Sequence, residues 1–182
     1  FGGISRKINK GYFNNLGIKN ILLSPINTNL ETTLRYIDLP YRKKMSFDGQ
    51  SPISSNSIDP HFGTDEEFAN LVYDGHSNNL GIYLSFIGSH VHISHPYCEE
   101  KLILEEQEYW KDIYHPTLDF QNKILIKRIT SDISYFIKTF DIDGYLFYSN
   151  EYSSDQFDEY FCRTINLEIG HNIFGILEKL IL

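Results

Sequence analysis

Residues 58–88 read IDPHFGTDEEFANLVYDGHSNNLGIYLSFIG, and they carry a helix start, a helix and a buried strand in direct succession. Thr64 and Glu67 have the spacing of a capping box, in which a hydroxyl and a carboxylate satisfy the first unpaired N–H groups of a helix. Phe68, Leu71 and Val72 supply the apolar stripe of that helix. Gly81 to Gly88 then reads as a short apolar strand that runs on into Ser89-His90-Val91-His92. A helix feeding such a strand is one unit of a parallel α/β sheet.

The same alternation extends in both directions. Upstream, Ile4, Ile8, Tyr12 and Leu16 recur every fourth residue, which predicts one helix closed by Gly17. The stretch IKNILLSPI follows, with Ile21, Leu22 and Leu23 closed by Ser24-Pro25, and is expected to be a strand buried on both faces. From about 27 to 57 the chain is polar, aperiodic and too long for an ordinary connection, and loops of that length are usually functional or disordered. Downstream, a second insertion at about 92–118 contains Tyr109 and Trp110. Leu125, Ile129, Ile133, Phe136, Ile137 and Phe140 then trace a long amphipathic helix that leads to a third strand in DGYLFYS, from Asp143. Strands recur about every 60 residues with helices between them, which predicts a (β/α)8 TIM barrel with elaborated loops at the strand C-termini. A complete barrel needs roughly 250 residues, so the expectation for 1–182 is one partial barrel domain.

At 182 residues and a formal charge of −8, the chain can bury a sizeable core. It gives no electrostatic footprint for nucleic acid, since its basic residues are scattered apart from Arg42-Lys43-Lys44. That run reads as a solvated loop tip. No apolar run approaches the roughly 20 residues of a membrane helix, and no signal peptide opens the chain, which begins mid-pattern. Cys98 and Cys162 form no metal spacing and neither require nor forbid a disulfide. The compartment stays open.

Four stretches, in order, resemble the alpha-amylase family of glycoside hydrolases. GIKNILLSPI is similar to that family's second-strand motif, and IDPHFGTDEEFANLV matches its Ile-Asp-Pro-x-Phe-Gly-Thr run, the most specific of the four. HPTLDFQN resembles the segment closing the family's inserted domain, with Thr117 and Asp119 in place of the usual Asp and Asn. FDIDGYLFYS occupies the place of hydrophobic-Asp-Gly-Phe-Arg-x-Asp. The resemblance implies a barrel of alpha-amylase type over most of the chain to about Glu151.

It also implies where chemistry would sit. The family's third-strand motif, Asp-x-Val-x-Asn-His, falls on Ser85 to His90, so that Ser85 and Ser89 replace Asp and Asn and only His90 is retained. In the fourth-strand motif the Arg falls on Leu146 and the nucleophilic Asp on Tyr148. The family's sugar-stacking Tyr falls on Gln50. Retaining hydrolysis needs a carboxylate opposite a second carboxyl group, because positive charge develops at the sugar carbon. A phenol with an ordinary pKa near 10 is mostly neutral at neutral pH and is no equivalent. The fifth-strand Glu has two contenders, Glu168 and Glu178, and neither is assigned.

Other residues have plainer readings. His90, His92 and His95 crowd a strand end but lack a carboxylate or cysteine at ligand spacing, so no metal is expected. No cofactor is expected either. Asp59 precedes a helix cap and is expected to fix its loop. Asp141 and Asp143 flank a strand entrance and are expected at the barrel bottom, away from chemistry. Tyr109, Trp110 and Tyr114 form either a glycan-stacking patch or the insertion's own small core.

The expectation drawn from these residues is a non-catalytic alpha-amylase-like module that binds a protein partner within a larger assembly, comparable to the heavy-chain ectodomains of amino-acid transporters. The alternative is a carbohydrate-active protein that binds alpha-glucan, of glycoside hydrolase or transferase type, with His90, Tyr109 and Trp110 as ligand-binding residues. A metal-dependent hydrolase built on His90 and His92 is the third reading.

Overall fold

The computed structural model describes residues 1–30, 34–35, 43–44, 49–105 and 114–148; at 34–35, 43–44 and 147–148 the description is of the backbone. The chain forms α1 (Gly2–Asn9), α2 (Tyr12–Asn15), β1 (Asn20–Leu23), β2 (Leu34–Arg35), β3 (Lys43–Lys44), α3 (Asp65–Ser77), β4 (Gly81–Ile87), α4 (Pro96–Glu99), α5 (Lys123–Phe140) and β5 (Gly144–Tyr148). The main sheet has the order β1-β4-β5 with both pairings parallel, Leu23 opposite Leu84 and Ser85 opposite Leu146. Three adjacent parallel strands joined through helices form a sector of a (β/α)8 barrel.

The capping box forms as its spacing predicts: the Thr64 hydroxyl accepts from the Glu67 N–H, and the Glu67 carboxylate accepts from the Thr64 N–H. Phe68, Leu71 and Val72 on α3 are buried together with Ile82, Leu84 and Phe86 of β4. The Phe68 ring lies 5.0 Å from the rings of both Phe1 and Phe140, which ties α3 to the N-terminus and to α5. Gly75 has a packing reason. A Cβ there would stand 2.7 Å from Cγ1 of Ile82, so only glycine lets α3 approach β4 this closely.

Two sequence expectations are corrected. The single helix through Ile4, Ile8, Tyr12 and Leu16 is two helices, because Gly11 adopts a left-handed conformation at φ 70° and turns the chain between them. Of the four residues only Ile8 is fully buried, while Tyr12 and Leu16 are exposed. A repeat of four also exceeds the 3.6 residues of a helical turn, so its positions drift around the axis by about 40° per step. The second correction concerns β1, expected to be buried on both faces. Leu23 is buried but Leu22 is 47% exposed. Among the described residues β1 pairs with β4 alone, and a sector of three strands leaves the barrel-interior face of its edge strand uncovered.

The first insertion, expected to be aperiodic, contains a short antiparallel pair between β2 and β3 and bridges Asn27–Ile58 and Asn29–Pro52. At the strand N-termini, Asp143 accepts from the Ile82 N–H at 2.7 Å and bonds His76 Nε2 at 2.9 Å, while Asp141 ends α5 with φ 59°. Both aspartates therefore sit at the barrel bottom. No helix among the described residues is long and apolar enough to cross a membrane.

Candidate functional site

Chemistry in this architecture belongs at the C-terminal ends of β1, β4 and β5. There the two insertions meet along a seam. One side is the segment 49–59, held by Asp59, whose Oδ2 accepts from the Asn29 N–H at 3.0 Å and whose Oδ1 accepts from the His61 N–H at 3.0 Å and bonds His61 Nδ1 at 2.7 Å. Burial pushes the Asp59 carboxyl up, but the Asn29 and His61 N–H groups and the His61 ring outweigh it and hold the pKa below the ordinary value. This is the loop-fixing role its place before the cap implies.

The other side of the seam is the segment that leaves β4. Here His90 bridges to Thr117 and Ile103 to Leu118, which folds residues 114–118 back onto the strand end. Imidazoles supply the side-chain links across the seam. His90 Nε2 bonds the Gln50 carbonyl at 2.9 Å while its Nδ1 meets the Ser89 hydroxyl at 2.8 Å. The Ser51 hydroxyl bonds His115 Nε2 at 2.5 Å, and the Ser55 hydroxyl bonds His95 Nε2 at 2.8 Å. A backbone bond from the His92 N–H to the Pro52 carbonyl runs beside them.

Beneath the seam lies a polar group that the sequence reading missed. The Tyr97 hydroxyl donates to Asp132 Oδ2 at 2.5 Å, and the Asn56 amide reaches Asp132 Oδ1 at 3.5 Å. Asp132 lies on the buried face of α5, between Ile129 and Phe136. A charged residue within an otherwise apolar helical stripe is the signal that could have found it. Burial raises the Asp132 carboxyl above its ordinary range, against the pull of the Tyr97 hydroxyl and Arg128. Burial and the neighbouring Asp132 also push the Tyr97 phenol upward. His95, buried and facing the Arg128 cation, is pushed down to about 4.

The sequence-derived positions fall as follows. Ser85, Ser89 and His90 are buried at the end of β4, and Ser85 stands opposite the half-buried Leu146 in the ladder. The register places Tyr148 opposite Ile87, at the end of β5. Tyr109, Trp110, Cys162, Glu168 and Glu178 lie outside the described residues. Tyr114 stacks on His92 at 6.4 Å between ring centres. Among the described residues no group of three or more His, Cys, Asp or Glu is placed to hold a metal ion. What the described mouth offers is hydroxyls, imidazoles and carbonyls, groups that donate and accept hydrogen bonds, and the β4 and β5 stretches themselves contain no Asp or Glu.

Comparison with known proteins follows the same lines. A family profile described as "Alpha amylase, catalytic domain" matches residues 1–134. The chain is similar to the alpha-amylase SusG of Bacteroides thetaiotaomicron, 28% identical over 107 residues that cover 59% of this chain and 13% of that protein. It is also similar to the intracellular maltogenic amylase of Bacillus subtilis, 27% identical over 154 residues that cover 74% of this chain and 24% of the relative. In both cases the chain spans less than a quarter of the curated relative's length. Among solved structures, an alpha-amylase from Lactobacillus plantarum superposes with a TM-score of 0.76 at 16% identity, over 93% of this chain and 39% of that one. An alpha-amylase from Geobacillus thermoleovorans complexed with acarbose does so with a TM-score of 0.72 at 22% identity, over 91% and 37%.

Proposed function

The chain belongs to the alpha-amylase catalytic-domain family of glycoside hydrolases, and from that premise we propose that it is a carbohydrate-active domain that binds alpha-glucan at the C-terminal mouth of its strands. The observation that carries this reading is His90, buried at the end of β4 with its ring held between the Ser89 hydroxyl and the Gln50 carbonyl. With both ring nitrogens engaged, His90 fixes the Ser89 hydroxyl and the Gln50 carbonyl at the mouth before a sugar arrives, which lowers the ordering cost of binding. The curated relatives, amylases and glucanotransferases by name, act on the corresponding class of substrate. Tyr109 and Trp110, on the second insertion, supply aromatic faces for stacking on a pyranose ring.

The chemistry of this mouth favours binding over ordinary cleavage. Leu146 and Tyr148 stand where the resemblance puts an Arg and a nucleophilic Asp, and an alkyl chain and a neutral phenol cannot stabilise a developing oxocarbenium ion. That substitution also supports a second reading, in which the domain serves an assembly as a structural or partner-binding module. Calorimetry with malto-oligosaccharides separates the two. Saturable binding that is lost in His90→Ala supports the glucan reading, and no binding heat at millimolar ligand supports the module. Release of reducing ends by the protein, abolished in Tyr148→Phe, overturns the non-cleaving part of the proposal.

A further inference from the structure

We propose that the seam joining the two insertions is an acid-released clasp, closed by neutral His95 and opened when this imidazole takes up a proton.

The partners of each ring fix which of its nitrogens bears hydrogen. His95 Nδ1 accepts from the Tyr97 N–H at 3.1 Å and caps the first turn of α4. Its single proton must then lie on Nε2, where it is donated to the Ser55 hydroxyl across the seam. His92 Nδ1 likewise accepts from the Ser94 N–H at 3.1 Å. In both rings the acceptor nitrogen faces a backbone donor. A second proton on either ring sets N–H against N–H, and the cap on α4 or the Ser94 turn has to break. The two side chains lie in residues only 1% and 3% exposed, so a cation formed there has no water to receive its charge.

The surroundings supply little compensation. Around His95 stand the Ser55 hydroxyl, the Tyr97 ring at 4.2 Å and, from α5, the Arg128 cation, with Asp132 reached through the Tyr97 hydroxyl. Arg128 is paired with Glu100 and opposes a cation, and the Asp132 carboxylate is already engaged by the Tyr97 hydroxyl and the Asn56 amide.

The direction follows from linkage. The pKa of His95 in the closed seam, about 4, lies below the 6.5 of a free imidazole, so the open form binds the proton more tightly. The clasp is fully closed above about pH 6.5 and loosens progressively as pH falls from there toward 4. At pH 5 this one residue shifts the opening equilibrium by roughly 30-fold relative to pH 7.5.

Amide hydrogen exchange of the full chain at pH 7.5 and pH 5.0, with intrinsic rates corrected for pH, tests the clasp. Protection at the Tyr97 amide is expected to fall by about 30-fold at pH 5.0, while Leu84 and Phe86 in β4 hold within about twofold. In His95→Asn, which keeps a capping acceptor for Tyr97 but cannot titrate, the loss at Tyr97 disappears. Unchanged protection at Tyr97, an equal loss at Leu84, or the same loss in His95→Asn overturns the proposal. If the variant does not fold, the ring signals of His95 in the unmodified chain decide: titration near pH 6.5 while Tyr97 stays protected contradicts the clasp, and a neutral ring that titrates only as protection is lost supports it.

Discussion

The Tyr97 hydroxyl and the Asp132 carboxylate meet at 2.5 Å inside the protein, one from the second insertion and the other from the long helix α5. This bond fixes the insertion to the barrel wall, and each partner makes the other's burial tolerable. Tyr97→Phe leaves a buried carboxylate short of a donor, at an expected cost of about 1–3 kcal/mol in unfolding free energy. Adding Asp132→Leu to Tyr97→Phe removes the stranded charge and recovers part of that loss. Denaturant titration of the two variants measures both effects. A double variant less stable than Tyr97→Phe alone contradicts this account.

The pH dependence at Asp132 has a definite sign. Its carboxyl is raised in the folded state, so the native protein holds this proton more tightly than the unfolded chain does. The residue therefore makes its most favourable contribution below the ordinary carboxylate range, and that contribution is lost as pH rises through the raised value. In Asp132→Asn this component vanishes, and stability changes less between pH 4 and pH 7 than in the unmodified chain. Thermal unfolding over that range provides the check.

Asp59 has the opposite sign. Its carboxyl is held low by the Asn29 and His61 N–H groups and the His61 ring, so its contribution is present above the ordinary carboxylate value and fades as pH falls through the lowered one. Asp59→Ala removes the acceptor for two N–H groups and is expected to cost about 1–3 kcal/mol at pH 7, much less at pH 2.5.

The approach of α3 to β4 gives a steric prediction. Gly75→Ala places a methyl 2.7 Å from Cγ1 of Ile82 and is expected to destabilise by about 1–3 kcal/mol, although alanine has the higher helix propensity. Ile82→Val in the same chain removes a methyl from that neighbourhood and relieves part of the cost. Strict additivity of the two substitutions contradicts the contact.

Much of the frame is legible in the sequence because local and tertiary signals agree there. Thr64, Glu67 and the stripe through Phe68 define α3 by spacing alone, and the apolar runs at β4 and β5 need only burial to become strands. The N-terminal pattern misleads, because a repeat of four imitates a helix face while Gly11, free to take a positive φ, turns the chain. Leu22 is apolar for a barrel interior that the three described strands do not enclose. The seam is hardest to read. Its bonds join residues 40 and 64 positions apart, such as Ser55 with His95 and Ser51 with His115, and no periodicity encodes them. Asp132 alone left a trace, as a charge within an apolar helical stripe.

Binding of alpha-glucan at the mouth is the central claim, and a histidine-resolved NMR titration with maltoheptaose tests it most directly. The account predicts that the His90 ring resonances move saturably with maltoheptaose, stay unmoved with a β-linked glucan of equal length, and that His90→Ala abolishes binding while the β4 amides remain protected. His90 resonances that stay fixed at saturating maltoheptaose, or an affinity unchanged in His90→Ala, would contradict it.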